Sequence, residues 1–231
     1  MTTLLFIAMA VATWCGPLPA APQNTSNAGG LDAVLKKMDA AAASFRSTQA
    51  DFEWDQYQKV VDETDTQKGT VYYRRSGQQI EMMAHVKEPD RKFVLYKDGK
   101  LEVYQPRIEQ LIVHDAGNNR SEIESYLVLG FGGSGQDLPK TFDVTYGGEE
   151  TVDGIATGKL QLAPKSEKVR NTFTQVVLWI DLARGISVQQ KFVTPQGDYR
   201  LAKYSNIRIN EKAGGDVFQL KTSGKTQTIT R

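Results

Sequence analysis

The sequence predicts a mainly β protein of α+β class, folded as one domain around an apolar concavity. Three observations carry this. From Lys68 to Val113 the chain reads KGTVYYRRSGQQIEMMAHV and then DRKFVLYKDGKLEVYQPRIEQLIV, a succession of short apolar strands punctuated by turn residues. These strands are apolar at both parities: Phe93, Val94, Leu95 and Tyr96 are consecutive, as are Leu111, Ile112 and Val113. A sheet with one wet face alternates apolar and polar residues instead. Helical patterns are too few to cover a second sheet face, so the surplus apolar surface points to a concavity that is not filled with water.

The chain has 231 residues, a length at which all-β sandwiches and barrels remain undivided and need neither disulfide nor metal for stability. Residues 1–28 are expected to be a signal peptide and linker, and residues 29–231 a single domain. The apolar run Leu4–Trp14 is shorter than the roughly 20 residues that span a bilayer, but suits a signal core. Small residues at Ala20 and Ala28 are candidate cleavage positions. The alternative is a buried N-terminal helix. Cys15 is the only cysteine, and the bulky Trp14 before it disfavours lipidation, so the mature chain is expected to lack thiols.

After the polar linker Gln23–Gly30, Leu31, Val34, Leu35, Met38, Ala42 and Phe45 recur at helical spacing, with Asp32, Lys36, Lys37 and Asp39 opposite. This predicts an amphipathic helix packed on a sheet, covering a cavity mouth, or both. Strand signals dominate from Thr48. Asp98-Gly99 and Asp153-Gly154 are hairpin turns, and Pro106-Arg107 leads into IEQLIVHD. Ser121 with Glu124 forms a capping box before Tyr126, Leu127, Val128 and Leu129, predicting a second helix. Its end, LGFGGSGQDLP, reads as a flexible glycine loop. TFDVTY, TVDGIATGKLQL, TFTQVVLWID, ISVQQKFV and DYRLAKYSNIRI read as later strands, with a turn at Pro195-Gln196-Gly197. VFQLKTSGKTQTITR closes the chain as a short element and a polar tail.

Catalytic chemistry is not visible. Gly130–Gly135 matches GxGxxG in letters, but a helix precedes it where a dinucleotide site needs a strand. Around Ser134 a nucleophile elbow fails at Gln136. His114 and Asp115 are adjacent on a strand and point to opposite faces, so they cannot orient one another. Glu149-Glu150 reads as a solvated turn. His85 and His114 are the only histidines, which leaves little for a metal site, and no cofactor is expected. With 28 Lys plus Arg against 27 Asp plus Glu, no basic field for nucleic acid exists.

The stretch YKDGKLEVYQPRIEQLIV resembles the outer-membrane lipoprotein carrier family, the LolA-type periplasmic chaperones. The resemblance runs through Asp98, Gly99, Tyr104, Gln105, Pro106 and Gln110, and upstream through Gly69, Val71, Tyr73 and Arg75. Downstream it continues through LQLAPKSEKVRNTFTQVVLWID and GISVQQKFVTPQGDYRLAKYSNI, so that it covers about residues 30–220. Order and spacing carry it more than any one motif. Ser76 stands where the family has proline after the arginine, Gln79 or Ile80 where it has an aromatic, and Glu102 where it has tryptophan.

The resemblance implies an incomplete, strongly bent antiparallel β-barrel with a helical lid over an apolar cavity. It implies a non-enzymatic, monomeric periplasmic carrier that shields lipoprotein acyl chains, takes them from an inner-membrane release complex and hands them to an outer-membrane acceptor. Parity across the hairpins then predicts Val71, Tyr73, Ile80, Met82, Leu95 and Val103 as cavity lining, with Leu127 from the second helix. Arg75 shares parity with Val71 and Tyr73, and its five donors suit backbone carbonyls at the glycine-rich end of that helix. The family's matching arginine holds the lid closed; the plainer alternative is an exposed strand-end charge beside Arg74. An envelope-stress sensor domain of related fold and an anchored lipoprotein acceptor are the rival functions, and a hydrolase is a more distant one.

Overall fold

The structure, a computed structural model, describes residues 25–77, 79–115, 117, 127, 129–211 and 217–230, with side chains from residue 29 onward. The expected signal segment and most of the Ser121 helix lie outside the described residues.

The first helix, α1 (Thr25–Ser44), begins six residues earlier than the hydrophobic spacing predicts, so part of the expected linker is helical. A Cβ at Gly30 would lie 2.5 Å from the ring of Tyr146, so this stretch of helix can seat against the sheet only without a side chain.

Among the described residues twelve strands follow: β1 (Ser47–Gln58), β2 (Glu63–Ser76), β3 (Gln79–Glu88), β4 (Lys92–Lys97), β5 (Lys100–Gln105), β6 (Gln110–Asp115), β7 (Phe142–Val152), β8 (Ile155–Pro164), β9 (Gln175–Asp181), β10 (Ser187–Val193), β11 (Tyr199–Ile209) and β12 (Gln227–Thr230). They form one sheet in the order β12-β6-β5-β4-β3-β2-β1-β11-β10-β9-β8-β7. The ends of that order, β12 and β7, do not pair, so the barrel is incomplete. Every neighbouring pair is antiparallel except β12 with β6, which is parallel. Asp98-Gly99 and Asp153-Gly154 both place two successive residues at positive φ, the geometry that a two-residue hairpin requires. The solvated turn expected at Glu149-Glu150 is instead strand, entered through a β-bulge at Gly147-Gly148, where the register with β8 shifts between Tyr146 and Glu149. Glu150 beyond it is no free turn residue. It accepts from Lys159 Nζ at 2.7 Å and from Trp179 Nε1 at 2.6 Å, and these bonds hold its carboxyl below the usual range.

The two faces of the sheet carry different cores. On the concave face, Val34 and Met38 of α1 pack against Leu160, Leu162, Leu178 and Ile180. Ala50, Phe52, Val71, Tyr73, Met82 and Tyr96 form a second concave cluster around Phe45 and Phe131. On the convex face, Met83 and Leu95 are buried beneath Phe218, with Tyr72, Phe93, Val217 and Leu220 around them. The expected polar tail therefore crosses the back of the sheet before entering it as β12. This accounts for the doubly apolar strands of β2–β5: one parity faces the concavity, and the other is covered by the C-terminal segment.

Candidate functional site

The concave face over β1–β3, β10 and β11 is closed by a strap, residues 129–137, that crosses it from β10 toward α1. Its anchor is Phe131, which is fully buried. The ring stacks on Tyr73 at 5.3 Å and meets Tyr204 edge-on at 4.8 Å. Burying such a side chain is worth about 1.5–3 kcal/mol.

Polar hooks hold the strap's backbone on both sides. Gln190 Nε2 donates to the Leu129 carbonyl at 2.5 Å, and the Ser187 N–H donates to the Gly130 carbonyl at 2.9 Å. Arg75 Nη2 donates to the Gly132 carbonyl at 3.1 Å, with its guanidinium 5.8 Å from the Phe45 ring centre. Asp39 of α1 accepts from the Ser134 hydroxyl and from the Gln136 N–H at 3.1 Å. Burial acts to raise the Asp39 carboxyl, but these hydrogen bonds outweigh it and the group sits below its usual range. Ser134 is thus a tether, not a nucleophile.

The glycines serve close contact here, contrary to their expected reading as a flexible loop. A Cβ at Gly132 would lie 2.5 Å from the Phe45 ring, and one at Gly135 would lie 2.3 Å from the Leu35 carbonyl oxygen. Gly132 also has φ +86°.

Beside Phe131 the concavity keeps a cavity of about 350 Å³. Trp54, Met82, Val94, Leu101, Leu127 and Phe192 form its apolar walls. Tyr73, Tyr204 and Gln190 lie between it and the strap. Burial pushes the Tyr73 phenol well above its usual range and that of Tyr204 up to about 12, so both stay neutral. Toward the β1–β2 turn the lining becomes polar, with Gln56, Gln67, Lys92 and Arg200. Arg200 lies 5.4 Å from the Trp54 ring centre and 5.3 Å from that of Phe192, a cation held between two aromatic faces. Desolvation lowers the Lys92 ammonium.

The predicted lining residues divide. Val71, Tyr73, Ile80 and Met82 lie in the concave cluster, all within 7 % exposure, and Leu127 packs against it. Val103 pairs with Val94 and is half-buried on the same parity. Leu95 is a correction. It pairs with Met83 and lies on the convex face beneath Phe218, and Tyr96 takes the concave position instead. The register across the β3–β4 turn decides this, and a shift of one residue inverts the face. Phe131, Gln190 and Asp39 were not anticipated. An aromatic amid four glycines was a usable signal for Phe131; nothing local marks Gln190. Among the described residues no group of His, Cys, Asp or Glu could hold a metal, and no helix is long and apolar enough to cross a membrane.

An open, bent antiparallel sheet with a helix and a strap seated in its hollow is a LolA-like fold. No known family pattern and no curated protein matches the sequence. Solved structures do match. An uncharacterized conserved protein from Thermus thermophilus aligns with TM-score 0.53 at 13% identity, covering 88% of this chain and 98% of that one. MucB aligns with TM-score 0.52 at 14% identity over 84% of this chain, which spans 63% of MucB. A LolA superfamily protein from Nitrosomonas europaea aligns with TM-score 0.40 at 15% identity, over 82% of this chain and 97% of that one. The topology and the first two alignments carry the fold assignment.

Proposed function

We propose that this protein is a periplasmic carrier, exported by its N-terminal signal peptide, whose single domain at 29–231 shields the acyl chains of lipoproteins or related lipids. It receives them at the inner membrane and delivers them toward the outer membrane as a monomer. The observation that carries this reading is the largely apolar cavity beside a strap that Phe131, Leu129 and a few hydrogen bonds secure. Burying about a dozen methylenes contributes roughly 10 kcal/mol before losses, enough to hold an acyl chain out of water. A cavity of about 350 Å³ is small for such cargo, so loading displaces Phe131 and breaks the Arg75–Gly132 bond. Re-forming those contacts then favours release. Arg75 is thereby the residue that couples the empty and loaded states.

The test is mass spectrometry of what co-purifies with the mature protein from envelope fractions, paired with binding of an acylated peptide. Met82→Glu places a charge in the cavity and should abolish binding. Leu95→Glu disturbs the convex face and should leave binding intact while lowering stability. Retained binding in Met82→Glu would remove the cavity from the account. The likeness to MucB, which has been solved in complex with MucA, favours a second reading as a sensor that binds a protein partner. Capture of a protein partner with no lipid in the cavity would promote it.

A further inference from the structure

The cavity beside Phe131 has an apolar body and a cationic mouth, and the strand register sets both on the concave face. Gln67 lies opposite Trp54, and Arg200 of β11 lies between Gln56 and Phe192 on the neighbouring strands. Lys92 of β4 pairs with Val86, a member of the concave cluster. Trp54, Gln56, Gln67, Lys92, Phe192 and Arg200 all line the cavity. Two of its walls place the Arg200 guanidinium, 5.4 Å from the Trp54 ring centre and 5.3 Å from that of Phe192. Burial raises the phenols of Tyr73 and Tyr204, and the Arg200 charge opposes that rise, so its field reaches inward. Arg200 is itself exposed, so the charge stands where the cavity meets water.

Among the described residues no carboxylate neutralises this mouth: neither Arg200 nor Lys92 forms an ion pair. Asp65, opposite Gln56 on β2, accepts from Gln58 Nε2 at 3.3 Å. Burial lowers the Lys92 ammonium, and Asp90 opposes this only in part; Asp90 itself pairs with Arg107 at 3.4 Å. Two aromatic faces hold Arg200 at the rim before any guest arrives, and a side chain already positioned loses less freedom on binding.

We propose that the cavity takes an amphiphile with an anionic head, its acyl chain lying among Trp54, Met82, Val94, Leu101 and Phe192 and its oxyanion head bound by the Arg200 guanidinium at the rim, with Lys92 adding positive charge from β4. This inference rests on the carrier reading above and narrows its cargo to lipids that carry an anionic group beside the chain. A guanidinium fork matches carboxylate and phosphate oxygens in pairs, and charge-assisted bonds are about twice as strong as neutral ones. The cavity, at about 350 Å³, lies near the low end of small-ligand sites, which run from roughly 300 to 1,000 Å³, so one chain suits it better than several. A free oxyanion has the same head chemistry and is separated by the experiment.

The full chain is titrated calorimetrically at neutral pH with decanoate, decanol and decyltrimethylammonium, three heads on one chain length, and with acetate as the head without a chain. Decanoate should bind about five- to tenfold more tightly than decanol, and the ammonium no more tightly than decanol. Arg200→Met keeps an unbranched stem between the two rings and removes the charge. It should bring decanoate to within about twofold of decanol and leave decanol unchanged, whereas Arg200→Lys should keep most of the preference. The wild type gives a second reading that needs no variant: its preference for decanoate should shrink as salt rises from about 0.02 to about 0.5 M, because the charge is exposed. Equal affinity for all three chains overturns the anionic class and leaves the carrier reading standing. Acetate binding as tightly as decanoate overturns it as well, because the chain then contributes nothing. A preference untouched in Arg200→Met overturns the assignment to this mouth, and saturable binding of none of the chains removes the inference and the carrier reading together.

Discussion

Over β7–β9 the hollow of the sheet is filled by α1, through apolar side chains that interdigitate: Val34 and Met38 against Leu160, Leu178 and Ile180. Over β1–β3 and β11 it is filled by two rings, Phe45 and Phe131, the second on a strap whose carbonyls are held by Gln190, Ser187 and Arg75. Both halves exclude water, but they would open at different cost. Separating α1 exposes a continuous apolar stripe. Lifting the strap exposes two large apolar side chains, Phe131 and Leu129, and returns a handful of hydrogen-bonding groups to water, where they find new partners. One sheet therefore supports a fixed half that keeps the fold and a hinged half that can admit a guest. Segments with few buried apolar contacts are those that open locally at low free energy.

The strongest way to break this comparison is to truncate a residue in each half. Leu178→Ala removes a fully buried side chain beneath α1 and should lower global stability by about 3 kcal/mol, within the usual range for such cavities, with little change in acyl-peptide binding. Urea denaturation measures this. Phe131→Ala removes a larger side chain, yet should cost only about 1–2 kcal/mol, below the ~3–5 typical of buried Phe→Ala, because the strap detaches without unfolding the sheet. The same variant should bind acyl peptide more tightly than the wild type. If Phe131→Ala costs as much as a core phenylalanine and binds no better, the strap is core and the two halves are alike.

Arg75→Leu should change stability by less than about 1 kcal/mol, the net weight of one exposed hydrogen bond. Its effect belongs to kinetics: lipid should load but leave for acceptor vesicles roughly tenfold more slowly, since the bond that favours the closed state is gone. Transfer at the wild-type rate would return Arg75 to the role of a surface charge.

The smallest expected effect is on pH. Asp39 sits below its ordinary range when it holds Ser134 and Gln136. A carboxyl lowered in the closed state contributes closure above its free value and loses that contribution as pH falls through its lowered one, so the strap should loosen below about pH 4. A fluorinated phenylalanine at position 131, followed by fluorine NMR from pH 7 to 3, reads this directly. Asp39→Asn should remove the pH dependence; an unchanged titration would place the loosening elsewhere.

Sequence alone determined what depends on neighbours along the chain. Asp98-Gly99 and Asp153-Gly154 turn because their own backbone chemistry tolerates positive φ, and both are hairpins. The spacing of Leu31, Val34, Met38 and Ala42 makes one apolar stripe, and it is the stripe that α1 buries. The order of motifs from Gly69 to Gln110 was sufficient to reach the fold. Tertiary structure decided what covers each face. Alternation has a period of two residues, so it states that a strand has two faces and never which element lies on either. Leu95 and Tyr96 are equally apolar, yet only the register with Met82 and Met83 puts Tyr96 in the hollow and Leu95 under Phe218. The strap glycines look flexible in a string of letters and are tightly packed in space, because the atoms that forbid a Cβ there belong to Phe45 and Leu35, far away along the chain. Long-range approach leaves no mark in local composition, and it is long-range approach that builds the strap, seats Phe131 and opens the cavity beside it.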